Sequence, residues 1–224
     1  MARASQLDAI ADNLANVETV GFKGMRPAFS SFMGPGPGSD KVLTAAVGTT
    51  VDLSPGVTET TDSPTDVVPE GDLMLGVSTK GGKVAYTRNG HLEVGADGVL
   101  QIAGMPVIGQ GGVPIAVPEG GDVLVEPNGE VKSGKQVIGK LSLFQIQGPM
   151  DRVGPSLLTT GTGGTATEVP EGQFAVGELE KGNVSALSSA VDLIGAQRHY
   201  EMAIQAIQTY RQLDQKAVEV GRIR

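Results

Sequence analysis

The 224-residue sequence contains no cysteine and no tryptophan. Without thiols there is no disulfide framework and no thiolate zinc site, and cysteine pairing gives no reading of compartment or redox chemistry. Histidine is nearly absent, with His91 and His199 the only two, which excludes histidine-rich metal centres. Glu201 stands two residues from His199 and therefore off its helical face, since metal pairs on a helix need a spacing of three or four. Five phenylalanines and three tyrosines leave few large side chains for a core. Basic residues are outnumbered 25 to 17, a formal charge of −8. That balance argues against a general nucleic-acid binder, whose affinity rests on neutralising phosphates. No apolar run approaches the ~20 residues of a spanning helix. The opening MARASQLDAIADNLANV mixes polar and apolar residues where a signal peptide is continuously apolar. The reading is no direct membrane insertion and no cleaved export segment.

Glycine, by contrast, is abundant at 33 residues, and proline reaches 13. Their distribution divides the chain. Leu7, Ile10, Leu14 and Val17 recur at spacings of three, four and three, which predicts a helical stripe of heptad type. Gly21 is its plausible terminator, and Pro27 with the MGPGPGSD run at 33–40 shows that it does not continue. Residues 1–32 are therefore read as the N-terminal helical segment and 33–65 as an extended connector. Residues 66–180 are short runs of Val, Ile and Leu, broken about every eight to twelve residues by glycine-containing turns, the pattern of an all-β domain. The strongest turn signal is Asn89-Gly90, expected as a two-residue type I′ hairpin turn. Asp97-Gly98 and Asn128-Gly129 repeat it. Gln136 to Gln147 reads as one longer strand, and residues 159–172 as an irregular, mobile loop.

Residues 181–224 lose glycine and gain helix formers, with Asn183 or Ser185 as candidate N-cap. The predicted helix of about 37 residues would be roughly 55 Å long. Val184, Leu187, Val191 and Ile194 form one stripe, while Tyr200, Ile204 and Ile207 fall on nearly the opposite side. A helix apolar on several sides must be buried by more than one neighbour. An N-terminal helix of about 14 residues, roughly 21 Å, cannot cover it, so other subunits best explain the remaining surface. The expected fold is α+β, with N- and C-terminal helices forming a coiled-coil layer and an all-β domain inserted between them. A helix packed on its own β-domain would account for one apolar face and leave the second unexplained.

Signals for chemistry are weak. Gly129 to Lys135, GEVKSGK, has the spacing of a phosphate loop but fails at Gln136, where a hydroxyl is required, and it lies between predicted strands. Asp52, Glu59, Asp62, Asp66, Glu70 and Asp72 lack the alternating order of a calcium loop and read as a solvated acidic connector. No GxSxG element or triad-like order occurs. Asn183-Val184-Ser185 matches a glycosylation triplet, which helix capping explains more simply. No cofactor and no catalytic or metal-binding residue is expected. A β-domain pocket with perturbed carboxylates would reverse that expectation.

The segment Asp12 to Lys23, DNLANVETVGFK, resembles the N-terminal signature of flagellar axial proteins, the rod and hook components of the bacterial flagellum. Gln197-Arg198-His199-Tyr200-Glu201, with Asn183-Val184 before it and Ala206-Ile207-Gln208-Thr209 after, is similar to that family's C-terminal helix. Between them, Ser63-Pro64, Asp66-Val67, Gly71-Asp72 and Tyr86 to Val107 resemble the body of the rod proteins. Two features depart from the family pattern. Members usually begin about a dozen residues earlier, and Leu73 and Met74 stand where an aromatic pair usually follows the Gly-Asp step.

The resemblance implies a non-enzymatic subunit that stacks helically into a hollow rod, exported unfolded by the flagellar export apparatus without a cleaved signal peptide. Its partners would be further copies of itself and other rod and hook axial proteins. The tail from Tyr210 and the short β-domain look more like the proximal rod protein than the distal one. By position, Asn13, Asn16, Gly21, Phe22 and Lys23 match the N-terminal assembly signature, and Gln197, Tyr200, Glu201 and Ile207 the C-terminal one. Periodicity adds Leu7, Ile10, Leu14, Val184, Leu187, Val191, Ile194 and Ile204 as assembly residues. The rival reading is a soluble β-rich binding module with a helical tail.

Overall fold

The structure, a computed structural model, describes residues 2–33 and 42–221. Most of the MGPGPGSD run lies outside them. Among the described residues there are two α-helices, α1 (Ala2–Ala15) and α2 (Ala186–Gly221), with strands between them. The chain divides into two compact units. One takes in the segments Met1–Leu14, Pro27–Thr49 and Ala186–Arg224, and the other, the β-body, takes in Ala15–Arg26 and Thr50–Ser185.

The first unit corrects the expected fold class. It holds both helices and most of a two-stranded sheet formed by Met25–Met33 and Val42–Val51, and no coiled-coil layer of N- and C-terminal helices is present among the described residues. Leu7, Ile10 and Leu14 on α1 are half-buried. Leu187, Val191 and Ile194, the stripe that such a layer would cover, are 77%, 60% and 53% exposed. The physical reason lies in the pattern. A coiled-coil seam needs three to four sustained heptads, whereas α1 has 14 residues in all and the apolar positions of α2 wander round the helix instead of holding one seam. Strands also occupy the stretch read as a connector, at Val42–Val51 and Thr58–Thr60.

The β-body is built on a six-stranded antiparallel sheet with spatial order Met150–Arg152, Leu158–Thr160, Val84–Thr87, Leu73–Ser78, Leu143–Gln147, Thr165–Val169. Period-two alternation gives this sheet two apolar faces. Leu75, paired with Leu143, joins Val77 and Ala85 in the main core with Ile102, Val125 and Phe174. The neighbouring pair Met74 and Phe144 points the other way, into a smaller cluster with Tyr86, Met150 and Leu158. Phe144 lies edge-on to Tyr86 at 5.3 Å between ring centroids. Gly76 makes room for that ring, since a Cβ there would lie 2.5 Å from Phe144 Cε2.

Several local readings change. Gln136 to Gln147 is two strands in different sheets, Gln136–Lys140 and Leu143–Gln147. The stretch 159–172 contains the strand Thr165–Val169, paired along its whole length with Leu143–Gln147. Asn89-Gly90 is not a type I′ turn, because neither residue has positive φ. Gly90 is needed there for close approach, as a Cβ would lie 1.5 Å from the Val67 carbonyl oxygen. Positive φ at two successive positions occurs instead at Ala103-Gly104, at 50° and 73°, between Leu100–Ile102 and Met105–Pro106, and at Gly111-Gly112, at 83° and 80°.

Candidate functional site at the roots of the chain ends

Within the β-body the residues that follow α1 meet those that precede α2. After α1 the chain turns on Asn16, whose carbonyl accepts from Thr19 N at 3.0 Å and whose Oδ1 accepts from Thr19 Oγ1 at 3.3 Å. Gly21 then adopts φ +67° and donates its N–H to the Glu180 carbonyl at 2.7 Å. Its missing side chain is required twice over. The φ is left-handed, and a Cβ would lie 2.1 Å from Asn89 N. This sharp, closely packed turn inserts Phe22, which is fully buried, with the Arg152 guanidinium 4.3 Å above its ring centroid. Arg152 Nη2 donates to the Lys23 carbonyl.

Lys23 is the charged centre of this junction and is 3% exposed. Its Nζ donates to Glu180 Oε1 at 2.6 Å and to the Ser54 carbonyl at 2.7 Å. Glu180, 1% exposed, also accepts from Gly56 N on Oε1 and from Arg88 Nε on Oε2, at 2.9 and 2.7 Å. Arg88 closes the cluster by donating from Nη1 to the carbonyls of Gly71 and Leu73. Burial pushes the Glu180 carboxyl up, but the Lys23 hydrogen bond, the Gly56 N–H and the Arg88 charge outweigh it and hold the group below the usual glutamate range. Burial also lowers the Lys23 ammonium, more than its bond to Glu180 raises it.

Asn183 completes the junction. Its Oδ1 accepts from Gly24 N at 2.7 Å, its Nδ2 donates to the Asp52 carbonyl at 2.8 Å, and its own N–H donates to the Phe22 carbonyl at 3.2 Å. Of the two capping candidates, Ser185 is the one directly before α2, while Asn183 ties the root of that helix to the residues after α1. A cleft of about 320 Å³ adjoins the cluster, lined by Lys23, Arg88, Asp72, Leu53, Met74 and Ile146 among others. Among the described residues no group of three or more histidines and carboxylates is placed to hold a metal, and no helix is long and apolar enough to cross a membrane.

The structure thus gathers only part of the expected assembly set. Gly21, Phe22 and Lys23 come together in the junction, with Asn16 on the turn before them and Val184 just after Asn183. Leu7, Ile10, Asn13 and Leu14 lie half-buried along α1. Leu187, Val191, Ile194, Gln197, Tyr200, Glu201, Ile204 and Ile207 are spread along α2 and exposed. Sequence reasoning missed Glu180, Arg88 and Arg152, and took Asn183 only as a cap candidate. It also read the carboxylates from Asp52 to Asp72 as a solvated run. Asp66 is buried and bonded to His91 Nδ1 at 2.6 Å, Asp52 pairs with Arg26, and Glu59 with Lys181. Each partner lies far along the chain or on another strand, where spacing carries no signal.

Within the β-body the residues after α1 and those before α2 thus meet at one buried ionic junction. Comparison with known proteins names the class. Residues 175–220 match the family model described as flagellar basal body rod FlgEFG protein C-terminal. Residues 1–23 match that described as flagella basal body rod protein. Along nearly the whole chain it is similar to the flagellar basal-body rod protein FlgG of Caulobacter vibrioides, 31% identical over 95% of this chain and 92% of that one. It is 32% identical to the flagellar basal-body rod protein FlgF of Escherichia coli, over 91% of this chain and 87% of that one. A FlgG of Borreliella burgdorferi is 28% identical over 93% and 90%. The chain belongs to the flagellar basal-body rod protein family.

Proposed function

We propose that the chain is a structural, non-enzymatic subunit of the flagellar basal-body rod, self-assembling helically through its terminal segments into a shaft that transmits torque and encloses the export channel. The observation that carries this is α2. Along 36 residues, about 54 Å, it exposes Leu187, Val191 and Ile194 on one side and Tyr200, Ile204 and Ile207 on another. Apolar surface on that scale marks a contact with other molecules. A patch that docks on a different patch of the next copy generates an open helical polymer rather than a closed dimer. The partners are further copies and other rod and hook axial proteins. The subunit reaches the periplasm-spanning rod through the flagellar export apparatus. We place it in the proximal rod, on the short β-body and the resemblance of the tail. The distal rod is the alternative, and relatives of both names match at comparable identity.

The non-enzymatic reading is supported at the cleft beside Glu180. Both oxygens of Glu180 are engaged by donors, and its pKa moves down. Its oxygens are committed to the junction, and the downward shift takes it away from the near-neutral pKa best suited to a general acid or base.

Mass spectrometry of purified hook and basal-body particles tests the role. Peptides of this chain at several copies per particle are expected. Their absence from particles that retain the other rod proteins would return the chain to the soluble β-module reading. Ile204→Asp, on an exposed face, should leave the β-body folded and block incorporation. Normal incorporation of that variant would remove α2 as the interface.

A further inference from the structure

We propose that Glu180 is a positioning residue for assembly, latching the roots of both terminal segments to the β-body within a single chain, before a second copy is engaged. The assembly consequence rests on the rod reading, but the latch itself does not.

The family signature marks Gly21, Phe22 and Lys23 as assembly residues, yet the fold leaves them almost no surface with which to touch a neighbour. Phe22 is 0% and Lys23 3% exposed, and the space at Gly21 is filled by the backbone of Arg88 and Asn89. Their partners lie in the same chain, 157 residues away for Lys23 with Glu180 and 159 for Gly24 with Asn183.

Glu180 is where these ties converge. Its carbonyl holds Gly21, its Oε1 holds Lys23 and Gly56, and its Oε2 holds Arg88. Arg88 in turn bonds the carbonyl of Leu73, the first residue of a central strand of the six-stranded sheet. One carboxylate therefore fixes the residues after α1, those before α2, the loop at Gly56 and the body to one another. With Lys23 and the Gly56 N–H on Oε1 and Arg88 Nε and Nη2 on Oε2, the carboxylate is satisfied as it stands and has no capacity left for an intersubunit bond. The signature residues serve assembly through Glu180, by setting where both ends leave the body. The contacts between copies fall to the helices themselves.

Amide exchange on the full-length wild-type chain, at two concentrations tenfold apart, tests the latch without requiring any variant to fold. The N–H groups of Gly21, Gly24, Gly56 and Asn183 should exchange at least about a hundredfold more slowly than in an unfolded chain, equally at both concentrations. Protection of these four only in assembled material would overturn the latch and make the junction a contact between copies.

Glu180→Gln should then lower their protection at least about tenfold while the strand Leu73–Ser78 keeps its own. Adding Lys23→Met to Glu180→Gln, which removes one of the two stranded cations, should restore part of the protection. Incorporation of Glu180→Gln into hook and basal-body particles should fall at least about tenfold. A variant with unprotected roots that still enters particles at wild-type copy number would overturn the positioning role. Absence of the wild-type chain from particles would overturn the rod reading and that role together, while the exchange data would still decide the latch.

Discussion

Gly21→Ala and Gly82→Ala together isolate what the junction is worth. Both glycines have left-handed φ, +67° and +72°, so alanine at either position carries a backbone penalty of roughly 1 kcal/mol. They differ in surroundings. A Cβ at Gly82 meets nothing within 4 Å, whereas one at Gly21 would lie 2.1 Å from Asn89 N, 2.5 Å from Arg88 C and 2.6 Å from Asn89 Cα. Those atoms are backbone and cannot swing aside, so the segment 20–23 must withdraw by about an ångström to restore contact distances of ~3.5 Å. Withdrawal breaks the 2.7 Å bond from Gly21 N to the Glu180 carbonyl, worth about 1 kcal/mol. It also pulls Phe22 from full burial, and losing half of the ~1.5–3 kcal/mol of a buried phenylalanine adds about another 1. Gly21→Ala should thus cost about 3–4 kcal/mol and Gly82→Ala about 1. Urea unfolding of the full-length chain, followed by circular dichroism because there is no tryptophan, measures both. Equal costs within about 0.5 kcal/mol would refute the close-packed junction, because the shared φ penalty would then be the whole effect.

Three further outcomes follow from single groups. His91 places Nδ1 2.6 Å from Asp66 and Nε2 3.1 Å from Glu93, and the Asp66 hydrogen bond raises its pKa above 6.5 against the opposing effect of burial. A raised folded-state pKa gives stabilisation that is complete below pH 6.5 and lost as pH rises through the folded value. His91→Gln should therefore cost more stability at pH 5.5 than at pH 9, and a pH-independent cost would refute the pairing. For Glu180 the shift is downward, so its stabilisation is complete above pH 4.5 and lost as pH falls through the lower folded value. At neutral pH Glu180→Gln strands two buried cations and should cost about 3–5 kcal/mol. An unfolding titration with acid should show the variant losing less further stability than wild type below pH 4.5. Ala103, exposed at φ 50° before Gly104, occupies the position where a type I′ turn favours asparagine. Ala103→Asn should raise stability by about 0.5–1 kcal/mol, read as a rise in Tm of roughly 1–4 °C, and a lower Tm would refute the turn assignment.

The parts of this molecule that could be read in advance are those in which the information is local. α2 follows from apolar spacing and from where glycine and proline stop; α1 follows from the same spacing but ends at Ala15, before the expected terminator Gly21, and Met25–Met33, inside the segment read as N-terminal helical, is a strand. The β-rich middle follows from short apolar runs between turns. Failure begins where two distant segments decide the outcome. Asn89-Gly90 has the composition of a hairpin turn, yet the pairing of Asp66 with His91 and the approach of Val67 keep it out of a type I′ turn, while Ala103-Gly104 turns because its flanking strands pair. Gln136 to Gln147 is uniform in pattern, but its halves find different sheets.

The junction shows the same limit at its sharpest. Lys23 was visible through family likeness alone, Gly21 through that likeness and as a helix terminator, and Asn183 through the likeness and capping preference, none of which names a partner. Nothing in the ELE of Glu178–Glu180 separates the buried Glu180 from the half-exposed Glu178. The difference arises only when Lys23 and Arg88 arrive from 157 and 92 residues away. A buried carboxylate is tolerable solely as part of such a completed set, since each member alone would be an uncompensated charge. Its place could therefore be inferred only jointly with its partners. The same reasoning explains why α2 reads so clearly. Its exposed apolar positions from Leu187 to Leu213 recur along one continuous helix, so they can be read from local spacing alone, with no distant partner to infer.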